Sequence, residues 1–177
     1  MPLASDYLDQ IKTELGESWL PTLYLERILK SRTRSYEFPT PGRNARVEIH
    51  HTLLGIELKV GRRRMLCPDL ATARYLSVFA RLGVCTVAIP YDITRISLLA
   101  DELESSWQRM LLIAEQLTAP RSHAFHARVR QQLVVKVHDE IEMAGAGPQV
   151  PQFKQSTKQR TPPPKSTRAR KEMPQSD

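Results

Sequence analysis

The run Gly55-Ile56-Glu57-Leu58-Lys59-Val60-Gly61 has the spacing most suggestive of chemistry in the chain. On an extended strand, residues two apart point the same way. Glu57 and Lys59 therefore share one face, while Ile56, Leu58 and Val60 share the other. Just upstream, Arg46, Glu48 and His50 alternate with Val47, Ile49 and His51. A hairpin that pairs the two apolar sets brings Glu48, His50, Glu57 and Lys59 onto a common polar face. Two neighbouring carboxylates suit Mg²⁺, a hard cation that takes oxygen ligands and keeps several waters. A lysine beside them can orient an attacking water and offset the charge developing on a phosphate. In this view Glu48 and Glu57 are candidate metal ligands, and Glu57 and Lys59 are candidate catalytic groups for phosphodiester hydrolysis. The same alternation also describes a solvated strand face, on which a cross-strand charge pair contributes at most about 1 kcal/mol.

Arg62, Arg63 and Arg64 follow directly. Three adjacent guanidinium groups can dock a nucleic-acid backbone, or simply decorate a solvated turn. His123 and His126 are three apart on an expected helix, and His138 lies further along. No cysteine or well-spaced acid completes a metal set with them, so they read as surface or partly packed side chains. There is no Gly-rich phosphate loop and no Gly-x-Ser-x-Gly elbow.

The elements that must position these groups follow from periodicity. Ser5 caps an expected helix over 6–15, with Asp6 and Asp9 near its positive end. Pro21 opens a second helix running to about residue 32, and residues 37–44, rich in Pro and Gly, form a loop. Two amphipathic strands come next, with a third short strand at 63–67. Pro68-Asp69 begins a helix that Gly83 ends at about residue 82. The apolar run 84–89, in which Cys85 is a small buried thiol, reads as a strand covered on both faces. Ile96, Leu99, Leu103, Trp107, Met110, Ala114 and Leu117 recur at alternating steps of three and four, giving one long helix over 94–117 with a narrow apolar seam. A further amphipathic helix spans 122–143. The order is α-α-β-β-(β)-α-β-α-α, an α+β (mixed α/β) fold around a small central sheet.

The chain has 177 residues, 26 Lys+Arg and 19 Asp+Glu, for a formal charge of +7. That charge is uneven. Residues 148–177 carry Lys154, Lys158, Arg160, Lys165, Arg168, Arg170 and Lys171 against two acids, and six of the 13 prolines. Such a stretch buries too little apolar surface to offset its chain entropy, so it reads as a disordered basic tail behind a single globular domain over 1–147. Its cations suit phosphates or an acidic protein partner. No apolar run approaches the roughly 18 residues of a membrane span. The first 17 residues carry acids and no apolar core of a signal peptide, and two isolated cysteines match a reducing, cytoplasmic setting.

An acid, then Glu-x-Lys on a strand, then a helix and an apolar strand resembles the PD-(D/E)XK nuclease superfamily over residues 46–91. The resemblance implies a metal-binding Glu57, a catalytic Lys59 and Glu48 in the place where the family usually has Asp. Pro68-Asp69 follows the Glu-x-Lys rather than preceding it, a departure that also admits a non-catalytic relative. Three functions are therefore expected to compete: Mg²⁺-dependent cleavage of nucleic acid (DNA in the first instance), nucleic-acid binding without cleavage, and an adaptor whose long helical seam joins two copies as a homodimer while the tail recruits a partner.

Overall fold

The computed structural model describes residues 1–38 and 46–147. Most of the expected 37–44 loop and the whole basic tail lie outside the described residues. Among the described residues, five α-helices and five strands follow one another, with a 3-10 turn at Gly16–Ser18 and a π-helical turn at Tyr24–Leu29. Helices α1 (Ala4–Leu15) and α2 (Leu20–Leu23) come first, and α2 continues through a π-helical turn at Tyr24–Leu29. Strands β1 (Thr33–Glu37), β2 (Val47–Thr52), β3 (Gly55–Val60) and β4 (Arg63–Cys67) precede α3 (Leu70–Leu82). Strand β5 (Thr86–Pro90) leads to the long α4 (Ile93–Thr118) and to α5 (His123–Ala144).

The architecture is α+β, with one change of plan. In place of a single central sheet there are two small antiparallel ones, β1-β5 and β2-β3-β4. Strand β1 falls where the sequence suggests a helix end and a loop. Its Thr-Arg-Ser-Tyr-Glu stretch carries too little hydrophobic alternation to signal a strand, and β5, some fifty residues later, supplies its hydrogen bonds. The other elements start and stop where local chemistry directs. The Asp69 carboxylate accepts from the Thr72 N–H at 2.7 Å, and Gly83 closes α3 in the left-handed region at φ 72°. Ser122 caps α5 through the Phe125 N–H. Ser5, by contrast, lies inside α1, where Leu3 is the cap and the Asp6 carboxylate accepts its N–H at 2.8 Å.

Helix α3 is the middle layer. It packs on α4 and α5 on one side and on β2, β3 and β4 on the other. Accordingly it is buried nearly all round, including Tyr75, Leu76, Val78 and Phe79. The Tyr75 hydroxyl donates to the Ala88 carbonyl at 2.6 Å. The Ala88 N–H donates to the Tyr24 hydroxyl at 3.0 Å, which itself donates to the Gly145 carbonyl at 2.6 Å. These three bonds tie α3, β5, the π-helical turn and the end of α5 together at the centre of the core. The seam of α4 (Ile96, Leu99, Leu103, Met110 and Ala114) is buried within the same chain. Trp107 and Leu117 of the same seam are half-buried against that core, so the seam packs mainly within its own chain, as amphipathic helices ordinarily do. Strand β5 is buried from Val87 to Pro90, but Cys85 just before it is exposed, correcting the expectation of a buried thiol.

Candidate nucleic-acid interface

The three-stranded sheet carries the expected residues. Strands β2 and β3 pair Val47 with Val60, Glu48 with Lys59, Ile49 with Leu58 and His50 with Glu57. Strands β3 and β4 pair Lys59 with Arg64, Leu58 with Met65 and Glu57 with Leu66. Directly opposed residues point to the same face. One face therefore presents Val47, Ile49, Leu58, Val60, Met65 and Cys67 to α3, with Leu58 fully buried. The other face turns Glu48, His50, Glu57, Lys59, Arg64 and Leu66 outward. Burial of the apolar set fixes this register, because a slip of one residue would invert every side chain.

On the outer face the charges form a network centred on Glu48. Arg46 Nε lies 2.6 Å from its Oε1, His50 Nε2 lies 3.0 Å from its Oε2, and Lys59 Nζ lies 4.0 Å from that same oxygen. The hydrogen bond from His50, reinforced by Arg46 and Lys59, holds the Glu48 carboxyl below the ordinary carboxylate range. Glu57 is treated differently. Its side chain is 18% exposed, Arg64 Nη1 stands 4.0 Å from Oε2, and that oxygen is buried without a hydrogen-bond partner. So the register places Glu48, Glu57 and Lys59 on one face, yet the lysine leans toward Glu48 rather than Glu57.

The two carboxylates differ in how far they are already engaged. Both Glu48 oxygens already face a cation, Arg46 at Oε1 and Lys59 at Oε2, whereas Glu57 Oε2 has no hydrogen-bond partner; among the described residues no group of three or more His, Cys, Asp or Glu side chains is arranged to hold a metal ion. His123, His126 and His138 belong to no such group either. The two cavities described lie among α1, α2, α4 and α5, away from the sheet. The sheet face is open. It suits contact with an extended polyanion better than enclosure of a small substrate.

The arginine run is distributed rather than clustered. Gly61, at φ 62°, and Arg62 form the two-residue turn between β3 and β4, a position that favours glycine. Arg63 pairs with Val60 and so lies at the rim of the α3-facing side, whereas Arg64 pairs with Lys59 on the outer face. All three are exposed and fan around one end of the sheet, where the Gly61 N–H donates to the Arg46 carbonyl at 2.8 Å. Arg46, which the sequence pattern placed merely as a polar-face residue, thus joins this basic edge. Lys154, Lys158, Arg160, Lys165, Arg168, Arg170 and Lys171 lie outside the described residues.

Charge is segregated between the layers. Residues 46–67 hold five Lys or Arg and two acids, a net +3, whereas the rest of the described chain holds thirteen cations and fifteen acids, a net −2. Comparison with protein-family models, with curated proteins and with solved structures finds no match.

Proposed function

We propose that the protein binds nucleic acid through the outer face and basic edge of its three-stranded sheet, with Arg46, Lys59, Arg62, Arg63 and Arg64 contacting phosphates and the basic tail adding further contacts. The observation that carries this reading is the segregation of charge: a cationic, open sheet on an otherwise acidic body. Such contacts are independent of sequence and act by releasing counterions, so they fix affinity and its salt dependence rather than base preference. His50 and Leu66 lie among the cations on the same face and can meet sugar or base edges.

A salt titration of the full chain on DNA and RNA tests it. Log affinity should fall linearly with log salt concentration, and the combined Arg62→Ala, Arg63→Ala, Arg64→Ala variant should flatten that slope by about 2.7. An unchanged slope rejects the sheet as the contact.

A second reading is Mg²⁺-dependent cleavage, favoured by the unpartnered Oε2 of Glu57 on the same face as Lys59. The same samples, incubated with Mg²⁺ or Mn²⁺ and branched, single- and double-stranded substrates, separate the two. Cleavage abolished by Glu57→Ala and by Lys59→Ala supports hydrolysis, and intact substrate leaves binding alone.

A further inference from the structure

Among the described residues Tyr91 is the one exposed aromatic side chain, at 46% exposure, while the other rings are buried or half-buried. It stands where the β1–β5 sheet runs into α4. Its N–H donates to the Arg32 carbonyl at 3.0 Å, continuing the ladder that pairs Thr33 with Pro90 and Arg34 with Ile89. Arg32 is therefore opposite Tyr91, and its guanidinium carbon lies 5.2 Å from the ring centroid. Arg34, two residues on, points to the same face as Arg32. Arg95 lies in the first turn of α4, just beyond the ring.

These three arginines are exposed, and among the described residues none of them is ion-paired with a carboxylate. Arg27 and Arg74, by contrast, meet acids on α4. The neighbouring acid Asp92 is engaged elsewhere: its Oδ1 accepts from the N–H and the hydroxyl of Thr94 at 3.0 and 2.6 Å, capping α4. Unpaired cations around an exposed ring suit a single strand, whose backbone follows the cations while a base stacks on the ring. A duplex offers the phosphates but keeps its bases stacked inside. The patch also continues the basic edge of the three-stranded sheet. The Tyr36 hydroxyl meets Met65 Sδ at 3.3 Å, joining β1 to β4, and Arg34 and Arg63 are each two residues, about 7 Å of strand, from that contact.

We propose that Tyr91 stacks on a base of a single-stranded nucleic acid while Arg32, Arg34 and Arg95 hold the flanking phosphates. The proposal rests on the reading of the sheet as a nucleic-acid surface and names the form of nucleic acid that surface takes. A strand crossing from the Arg62, Arg63 and Arg64 edge to Tyr91 gains stacking as well as phosphate contacts, whereas a duplex gains the phosphate contacts alone.

Photo-crosslinking of the full chain to iodouracil-substituted single strands, with the linked peptide mapped by mass, should place the link at Tyr91. At fixed salt, Tyr91→Ala should weaken single-strand binding by about five-fold or more and change duplex binding by less than about two-fold. Tyr91→Phe, which keeps the ring, should bind as the parent does. The combined Arg32→Ala, Arg34→Ala, Arg95→Ala variant should flatten the single-strand slope of log affinity against log salt by about 2. Equal losses on both forms, a Tyr91→Phe variant as weak as Tyr91→Ala, or crosslinks only at other residues each overturn the stacking site. A single-strand affinity that depends on Tyr91, beside a slope that the Arg62, Arg63 and Arg64 changes leave untouched, rejects the sheet contact and keeps this site. The reverse pattern rejects this site alone, and a protein that binds neither form rejects both.

Discussion

Two charge clusters sit on either side of α3 and are built to opposite plans. Between α3 and α4, Arg74 meets two acids: Nε and Nη2 bind the two oxygens of Glu104 at 3.2 and 2.7 Å, and Nη2 reaches Asp101 at 2.6 Å. Both Nε and Nη2 of this guanidinium are engaged, and the acids drive its pKa up. On the outer sheet face the ratio is inverted. One fully engaged carboxylate, Glu48, is shared by Arg46, His50 and Lys59, with Arg62, Arg63 and Arg64 near the same edge. A cluster in which acids outnumber the cation clamps two helices. One in which cations outnumber the acid is left with charge to offer an outside partner. Ion pairs alone do not distinguish structure from function; the balance of signs within each cluster does.

The largest effect expected is on the layer between the clusters. Leu58 is fully buried against α3 from the middle of β3, so Leu58→Ala should cost about 2–5 kcal/mol in urea denaturation. A loss under about 1 kcal/mol would mean that the sheet is not held to the helices as described. Next comes the clamp itself. Arg74→Ala leaves Asp101 and Glu104 without their cation and should cost about 1–2 kcal/mol, while affinity for nucleic acid stays as in the parent. If it weakens binding as much as changes in the sheet, the division between the clusters fails.

What the sequence made legible is what neighbours along the chain decide. Strict alternation in 47–60 fixed the hairpin, its faces and the company of Glu48, His50, Glu57 and Lys59, because one buried face admits a single register. Asp69, Gly83 and Ser122 marked helix ends through bonds spanning a few residues. Strand β1 was hidden because its partner is β5, and nothing in Thr-Arg-Ser-Tyr-Glu reports a pairing so distant. Without β1, the division into two sheets was equally hidden. Cys85 misled by sitting at the start of an apolar run, since the strand begins one residue later and the thiol stays outside it. The partners of Lys59 could not be read either. Cross-strand pairing puts it opposite Glu48, and the preference for that carboxylate over Glu57 two residues away is a matter of side-chain geometry.

The smallest effect is the most discriminating, because it acts on Glu48, the acid at the centre of the sheet-face network. The Glu48 carboxyl is held below its ordinary range by the His50 hydrogen bond first and by Arg46 and Lys59 after it. A lowered folded-state pKa means that the network is fully formed above the ordinary carboxylate value and is lost as pH falls through the lowered one. Protonating or neutralising Glu48 removes the anion that engages Arg46 and Lys59 and frees both for phosphates. Glu48→Gln should therefore raise affinity for nucleic acid by about two- to three-fold at neutral pH, with little change in melting temperature. The gap between parent and variant should close as pH is lowered, since the parent then carries a neutral carboxyl at the same place. A variant that binds more weakly than the parent at neutral pH would show that Glu48 positions the cations rather than competing for them, and the sheet face would have to be read as a preorganised site instead of a surface with charge to spare.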